Sequence, residues 1–189
     1  MKKIIAIDFS ITSPALTLWN EEDDTYKIIC FDKKNAGSKF KLMNDKYLIV
    51  VLEPIEHKID LIRFDQLQRR ILKVIGEDFI KNSEIAIEGY SFGASGQLTR
   101  IAEACMLLKY NLYKAGADKD IKNYAPMSVK KFATGTGKAS KLDMVDSFKE
   151  KTGIDLFDLL GKKEGLKTIP VPITDIVDSF WIGEFHKSK

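Results

Sequence analysis

Four carboxylates, Asp8, Glu88, Asp175 and Asp178, lie where the chain is otherwise most apolar. Asp8 ends the run Lys3-Ile4-Ile5-Ala6-Ile7-Asp8, and Glu88 ends Ile85-Ala86-Ile87-Glu88. Asp175 and Asp178 stand three apart in Asp175-Ile176-Val177-Asp178-Ser179-Phe180-Trp181. Carboxylates are rarely buried unless they are paired or bind a metal. Taken singly, Asp8 also suits a turn start, Glu88 a strand end before Gly89, and the terminal pair a helix first turn. Taken together they point to one shared cation site. Hard oxygen ligands without nearby Cys or His favour Mg²⁺ or Mn²⁺. Two such ions suit phosphodiester cleavage, because they activate a water and stabilise the leaving oxygen.

The elements that must position these acids follow from the apolar pattern. Residues 3–8 read as a buried strand, and 15–19 and 26–31 as two more, joined by short links that imply an antiparallel meander. Residues 32–46 are polar and lysine-rich and read as a mobile loop. The run 47–52 reads either as an extra strand or as an apolar prelude to a helix. Apolar positions from Lys58 to Phe79 recur at helical spacing. Residues 84–88 form a strand, 97–115 an amphipathic helix stopped at Gly116, and 121–125 a further strand. Ser128 caps a short helix broken at Gly135-Thr136-Gly137. Residues 139–151 are helical, and Thr174 caps a last helix from Asp175 to about His186. This order describes an α/β fold, a mixed five-stranded sheet flanked by helices: three antiparallel strands, then parallel ones. Parallel neighbours would carry Asp8 and Glu88 to one sheet edge, where open α/β sheets place their sites. A helix N-terminus laid over that edge would bring in Asp175 and Asp178, which share a face.

Composition sets outer bounds. The 189 residues are 44% hydrophobic and 30% charged, which reads as one globular domain spanning 1–189. The formal charge of +3 says little, but its distribution says more. From Ile121 to Leu142 there is no Asp or Glu, while Lys122, Lys130, Lys131, Lys138 and Lys141 are present. Such a stripe suits phosphate binding, with a solvated lysine loop as the plain alternative. It is not a P-loop, since Phe132 and Ala139 occupy positions that motif needs for Gly and Ser/Thr. Tyr90 and Phe92 follow Glu88 in a glycine-rich stretch and suit either stacking on an unpaired base or capping of the core. Arg100 suits a phosphate contact or plain solvent. Cys30 and Cys105 stand in apolar contexts, which argues against a disulfide and for a reducing, cytoplasmic setting. His57 and His186 read as packing or solvent residues, and Trp19 and Trp181 as core. The first residues are too short an apolar run for a signal peptide, and no stretch approaches a membrane span.

At these residues the chain resembles the RuvC-type Holliday junction resolvases of the ribonuclease H-like superfamily. Ile4-Ile5-Ala6-Ile7-Asp8-Phe9-Ser10 is similar to the first-strand motif, Ile85-Ala86-Ile87-Glu88 to the second acidic motif, and Asp175-Ile176-Val177-Asp178 to the terminal pair. Val129-Lys130-Lys131 through Gly135-Thr136-Gly137-Lys138-Ala139-Ser140-Lys141 resembles the family's Val-Lys, Gly-x-Gly and Lys pattern. The resemblance implies a metal-dependent endonuclease for four-way DNA junctions, with Asp8, Glu88, Asp175 and Asp178 holding two Mg²⁺ or Mn²⁺ ions. It implies that Lys138 and Lys141 lie near the scissile phosphate, that an aromatic acts near Tyr90 and Phe92, and that the 97–115 helix helps pair a homodimer. The family's Pro-Gly after the first acid is replaced here by Phe9-Ser10-Ile11-Thr12-Ser13-Pro14, and the region from Asp32 to Lys58 is longer than in compact bacterial members. The first variant resembles divergent phage-type members, which act in a bacterial host's cytoplasm. Same-fold alternatives are a broader branched-DNA nuclease, an RNA–DNA hybrid nuclease and a non-catalytic junction-binding module. A sugar-kinase-like half-fold would need phosphate loops and a second domain that this length does not accommodate.

Overall fold

The computed structural model describes residues 1–89, 98–117, 120–163, 165 and 168–189. Strands β1 (Lys3–Asp8), β2 (Ala15–Asn20) and β3 (Thr25–Phe31) form the expected antiparallel meander. Then come β4 (Lys39–Leu42), β5 (Tyr47–Leu52), helices α1 (Asp60–Ile75) and α2 (Glu77–Lys81), β6 (Ser83–Glu88) and helix α3 (Leu98–Lys114). The chain ends with β7 (Lys122–Tyr124), α4 (Pro126–Thr134), α5 (Lys141–Thr152), α6 (Leu156–Leu159) and α7 (Ile173–Lys187).

The sheet has seven strands in the order β4-β5-β3-β2-β1-β6-β7, rather than five. The two additions come from residues 32–52: β4 lies in the 32–46 stretch read as a loop, and of the two readings of 47–52 the extra strand is the one that forms. Tyr47–Leu52 is a strand, parallel to β3, and it recruits Lys39–Leu42 as an antiparallel edge. Lys39 and Lys41 alternate with Phe40 and Leu42, so β4 keeps charge on its outer face, which protects an edge strand from further pairing. The α/β class and the mixed direction of the sheet are as expected.

Strand alternation sorts side chains into two cores, one on each face. Ile5, Ile7, Leu16, Leu18, Ile85 and Ile87 pack against Leu67 and Ile71 of α1 and Cys105, Leu108 and Leu112 of α3. Ile4, Ala6, Ala15 and Ala86 face the other way, toward Ile176, Val177 and Phe180 of α7 and Phe148 of α5. Cys30 belongs to the second core and Cys105 to the first, and both are free thiols. Burial pushes the Cys30 thiol up to about 12.

Local corrections have simple causes. The 58–79 helix breaks at Gly76, whose φ of 88° no helix interior adopts, giving α1 and α2. Pro126 starts α4, with Ala125 ahead of it, so Ser128 lies inside the helix and is not its cap. Ser140 caps α5 in a reciprocal box with Asp143. The last helix begins at Ile173 after Pro172; the Thr174 hydroxyl instead donates to Asp175 Oδ1 at 3.0 Å. His186 is buried and bonded on both nitrogens, to Tyr124 at 2.7 Å and Glu84 at 3.0 Å, a packing role as expected. Trp19 and Trp181 are buried in the core.

Candidate active site

β1 and β6 run parallel and in register, with Ile7 beside Ile87. Asp8 and Glu88 therefore end adjacent strands at the same edge, about 4.8 Å apart along the sheet. Alternation puts Asp8 on the face of Ile4 and Ala6, and Glu88 on the face of Ala86. That is the face α7 covers.

Small residues set the position of α7. A Cβ on Gly183 would stand 3.3 Å from the Ala6 Cβ, so helix and sheet are nearly in backbone contact there. One turn earlier the Ser179 and Thr17 hydroxyls meet at 3.1 Å, and Ser179 Oγ also donates to the Ile176 carbonyl. This contact runs the first turns of α7 out over the C-terminal end of β1. There Ser13 Oγ, in the β1–β2 loop, donates to Asp175 Oδ2 at 3.0 Å. The Ser13 amide in turn donates to Ser10 Oγ at 2.9 Å, which folds the loop back on itself.

The four acids act on one another. Burial pushes the Asp8 carboxyl well up, and Glu88, Asp178 and Asp175 add to the rise. Glu88 is pushed up to about 7, by burial first and then by Asp178. Asp178 is pushed up to about 6, mainly by burial, and Asp175 also rises for that reason although Ser13 and Thr174 donate to it. Lys141 works against the rise at all four acids, and Lys130 does so at Glu88 and Asp178. Two lysines cannot balance four half-buried carboxylates, so the site carries surplus negative charge. All-oxygen donors with that surplus suit a hard divalent cation. Among the described residues no three such side chains close into a finished ligand cage; the acids stand as an open cluster at the sheet edge.

The other expected residues divide. Lys130 and Lys141 face the acids electrostatically, and Lys130 Nζ also donates to the Ala139 carbonyl at 3.1 Å, bracing the loop after α4. Lys131 and Lys138 are exposed on the same segment. Both glycines there have a fold reason. Gly135 ends α4 with a φ of 83°, and a Cβ on Gly137 would lie 3.1 Å from the Met127 carbonyl oxygen. Arg100 belongs to the opposite helical layer, where its Nη2 meets Asp60 Oδ2 at 2.5 Å. Tyr90 and Phe92 lie outside the described residues. Ser13 and Thr174, which orient Asp175, escaped sequence reasoning; a hydroxyl in the loop after the first acid was the available signal.

No family model matches the chain, and no curated protein does. Solved structures do. RuvC of Thermus thermophilus in complex with a Holliday junction substrate matches with a TM-score of 0.61 at 15% identity, over 99% of this chain and 95% of that one. A second Thermus thermophilus RuvC structure matches with a TM-score of 0.52 at 19% identity, over 98% and 95%. No helix among the described residues is long and apolar enough to cross a membrane. The chain thus has, over nearly its full length, the ribonuclease H-like fold of the RuvC resolvases.

Proposed function

We propose that this chain is a divalent-metal-dependent endonuclease that hydrolyses phosphodiesters in branched DNA, above all four-way junctions. One observation carries the reading: β1, β6 and α7 deliver Asp8, Glu88, Asp175 and Asp178 to one sheet edge, with Lys130 and Lys141 beside them. The fold it shares with a protein solved on a Holliday junction substrate supports the choice of DNA shape.

Asp8, Glu88, Asp175 and Asp178 are the residues that would hold Mg²⁺ or Mn²⁺, two ions in all. When bound, such ions lower the pKa of water and offset charge on the leaving oxygen. The chain's own part is to supply the anionic cluster and to orient it. Ser13 and Thr174 fix Asp175 by donating to its two oxygens. Burial and the neighbouring Asp178 push the Glu88 carboxyl up to about 7 in the metal-free chain, and bound cations would draw it back to the anionic, ligating form. The first turn of α7 places the positive end of its dipole at the acids and eases their repulsion. Lys130 and Lys141, with Lys131 and Lys138 on the same segment, attract the phosphate backbone. Tyr90 and Phe92 are proposed to stack on bases at the branch point. We also propose that two copies pair through α3, presenting two equivalent sites to a two-fold junction.

The test is Asp8→Asn on synthetic four-way junctions with Mg²⁺ and with Mn²⁺. Cleavage should fall about 10³-fold or more while junction binding survives. Undiminished cleavage would remove the site. Three-way junctions, flaps and RNA–DNA hybrids in the same assay fix the substrate range, and cleavage confined to hybrids would replace the junction reading.

A further inference from the structure

The β1–β2 loop touches two places. Ser13 reaches Asp175 of the candidate active site, while Thr12, its neighbour, lines a separate cavity of about 450 Å³. The rest of that wall comes from Pro54 to Lys58, just past the end of β5, and from Arg63 in the first turn of α1. β3 and β5 run parallel to β1, so the end of β5 opens on the same sheet edge as Asp8. Three strand spacings separate β1 from β5, roughly 14 Å. This wall is made by the stretch that adds two strands to the sheet.

Its chemistry is that of an anion site. Arg63 carries five donors, and among the described residues its hydrogen bond is the one from Nη2 to Asp60 Oδ1 at 2.8 Å. Its Nε is buried and has no hydrogen-bond partner among the described residues. Asp60 is shared with Arg100, so among the described residues one carboxylate faces two guanidiniums. Lys58 is exposed and has no ion pair among the described residues. The Ile59 amide donates to His57 Nδ1 at 3.0 Å and the Ile59 carbonyl lies 3.3 Å from the same nitrogen, so the imidazole is tied to the start of α1. Glu56 is the one acid on the wall, and Lys33 sits 3.7 Å from it. With Nε sealed inside, the guanidinium turns its Nη donors to the cavity, and charged donors of that kind make strong hydrogen bonds to phosphate.

We propose that this cavity binds a backbone phosphate of the substrate nucleic acid, on a strand or arm flanking the one cut at the acids, with Arg63 and Lys58 as its cations and Thr12 as a hydroxyl donor. The proposal rests on the nucleic-acid reading above. It makes the β1–β2 loop a shared wall, so that filling the cavity acts directly on the loop that orients Asp175.

The experiment titrates Asp8→Asn protein and its Lys58→Gln, Arg63→Gln and double variants with a four-way junction over a range of salt. Each lost phosphate contact should flatten the slope of log K against log salt by about 0.9 and weaken binding about fivefold. Lys58 is exposed, so its variant tests charge without threatening the fold, and circular dichroism checks Arg63→Gln. A neutral methylphosphonate walked along the arms should weaken Lys58-bearing protein at one or two positions and leave the double variant indifferent there. Unchanged slopes, or the same methylphosphonate profile in folded variants, would overturn the proposal while leaving the nuclease reading intact. If the parent protein binds no branched DNA, both readings fall together.

Discussion

Glu88 is a strand residue whose carboxyl is held near pH 7 by burial and by Asp178. That shift has a sign. In the unfolded chain the group titrates near 4.5, so between about pH 4.5 and 7 the folded state holds the proton more tightly. The stability linked to this proton is present below pH 4.5 and is lost as pH rises through 7. In metal-free protein, Glu88→Gln should therefore raise stability at pH 8 by about 1–3 kcal/mol, with a melting temperature roughly 3–9 °C higher. The gap should shrink below about 1 kcal/mol by pH 5. Adding Mg²⁺ should stabilise the parent more than the variant. Parallel melting curves across this pH range would show that the acids do not repel. At this scale the four acids were legible because charge inside apolar runs has few benign explanations. Ser13 and Thr174 were not, since a hydroxyl in a loop or at a helix start has many local partners. Lys141 could not be told from Lys138 either, because the difference depends on where Ser140 starts α5.

Among the elements, α7 matters most, because it brings half of the acids and is placed by its smallest residue. Gly183 lets α7 approach the sheet so closely that a Cβ there would stand 3.3 Å from Ala6 and 3.7 Å from Thr17. Valine adds two further carbons to a contact already tight. Gly183→Val should cost about 2 kcal/mol, or roughly 4–8 °C in melting temperature. Activity should fall further than stability does, since tilting α7 pulls Asp175 and Asp178 from Asp8 and Glu88. Melting and cleavage rates measured well below the transition separate the two effects; full activity with an unchanged melting temperature would show that α7 is not seated by this contact. Strands β1, β2, β3 and β6 and the long helices were readable from periodicity, while 47–52 stayed open between strand and helix until pairing with β3 decided it. The short edge strand β4 was not, since Lys39–Leu42 carries alternating charge and gains strand character from pairing with β5. Helix starts were also missed, at Pro126 and Ile173, where a proline outweighed the nearby hydroxyls as the start signal.

For the whole molecule, the acids and the paired surface we propose belong to opposite layers. α7 covers the face carrying Asp8 and Glu88, and α1 and α3 cover the other. On α3, Met106, Tyr110 and Tyr113 are 64%, 54% and 69% exposed, and their spacing sets them along one stripe. Leu61 of the neighbouring α1 is 70% exposed. Scattered apolar residues need no explanation, but a stripe of large ones on adjacent helices is the kind of surface partners cover. If two copies meet there, sedimentation should give twice the chain mass, and Tyr110→Glu with Tyr113→Glu should return it to one. Because the stripe lies on the layer away from the acids, the double variant should keep its single-strand cutting rate. It should lose coordination between the two cuts: the parent would release duplexes with both strands incised, whereas the variant would accumulate junctions nicked once. A variant that stays dimeric, or a monomer that still pairs its cuts, would detach two-fold symmetry from α3.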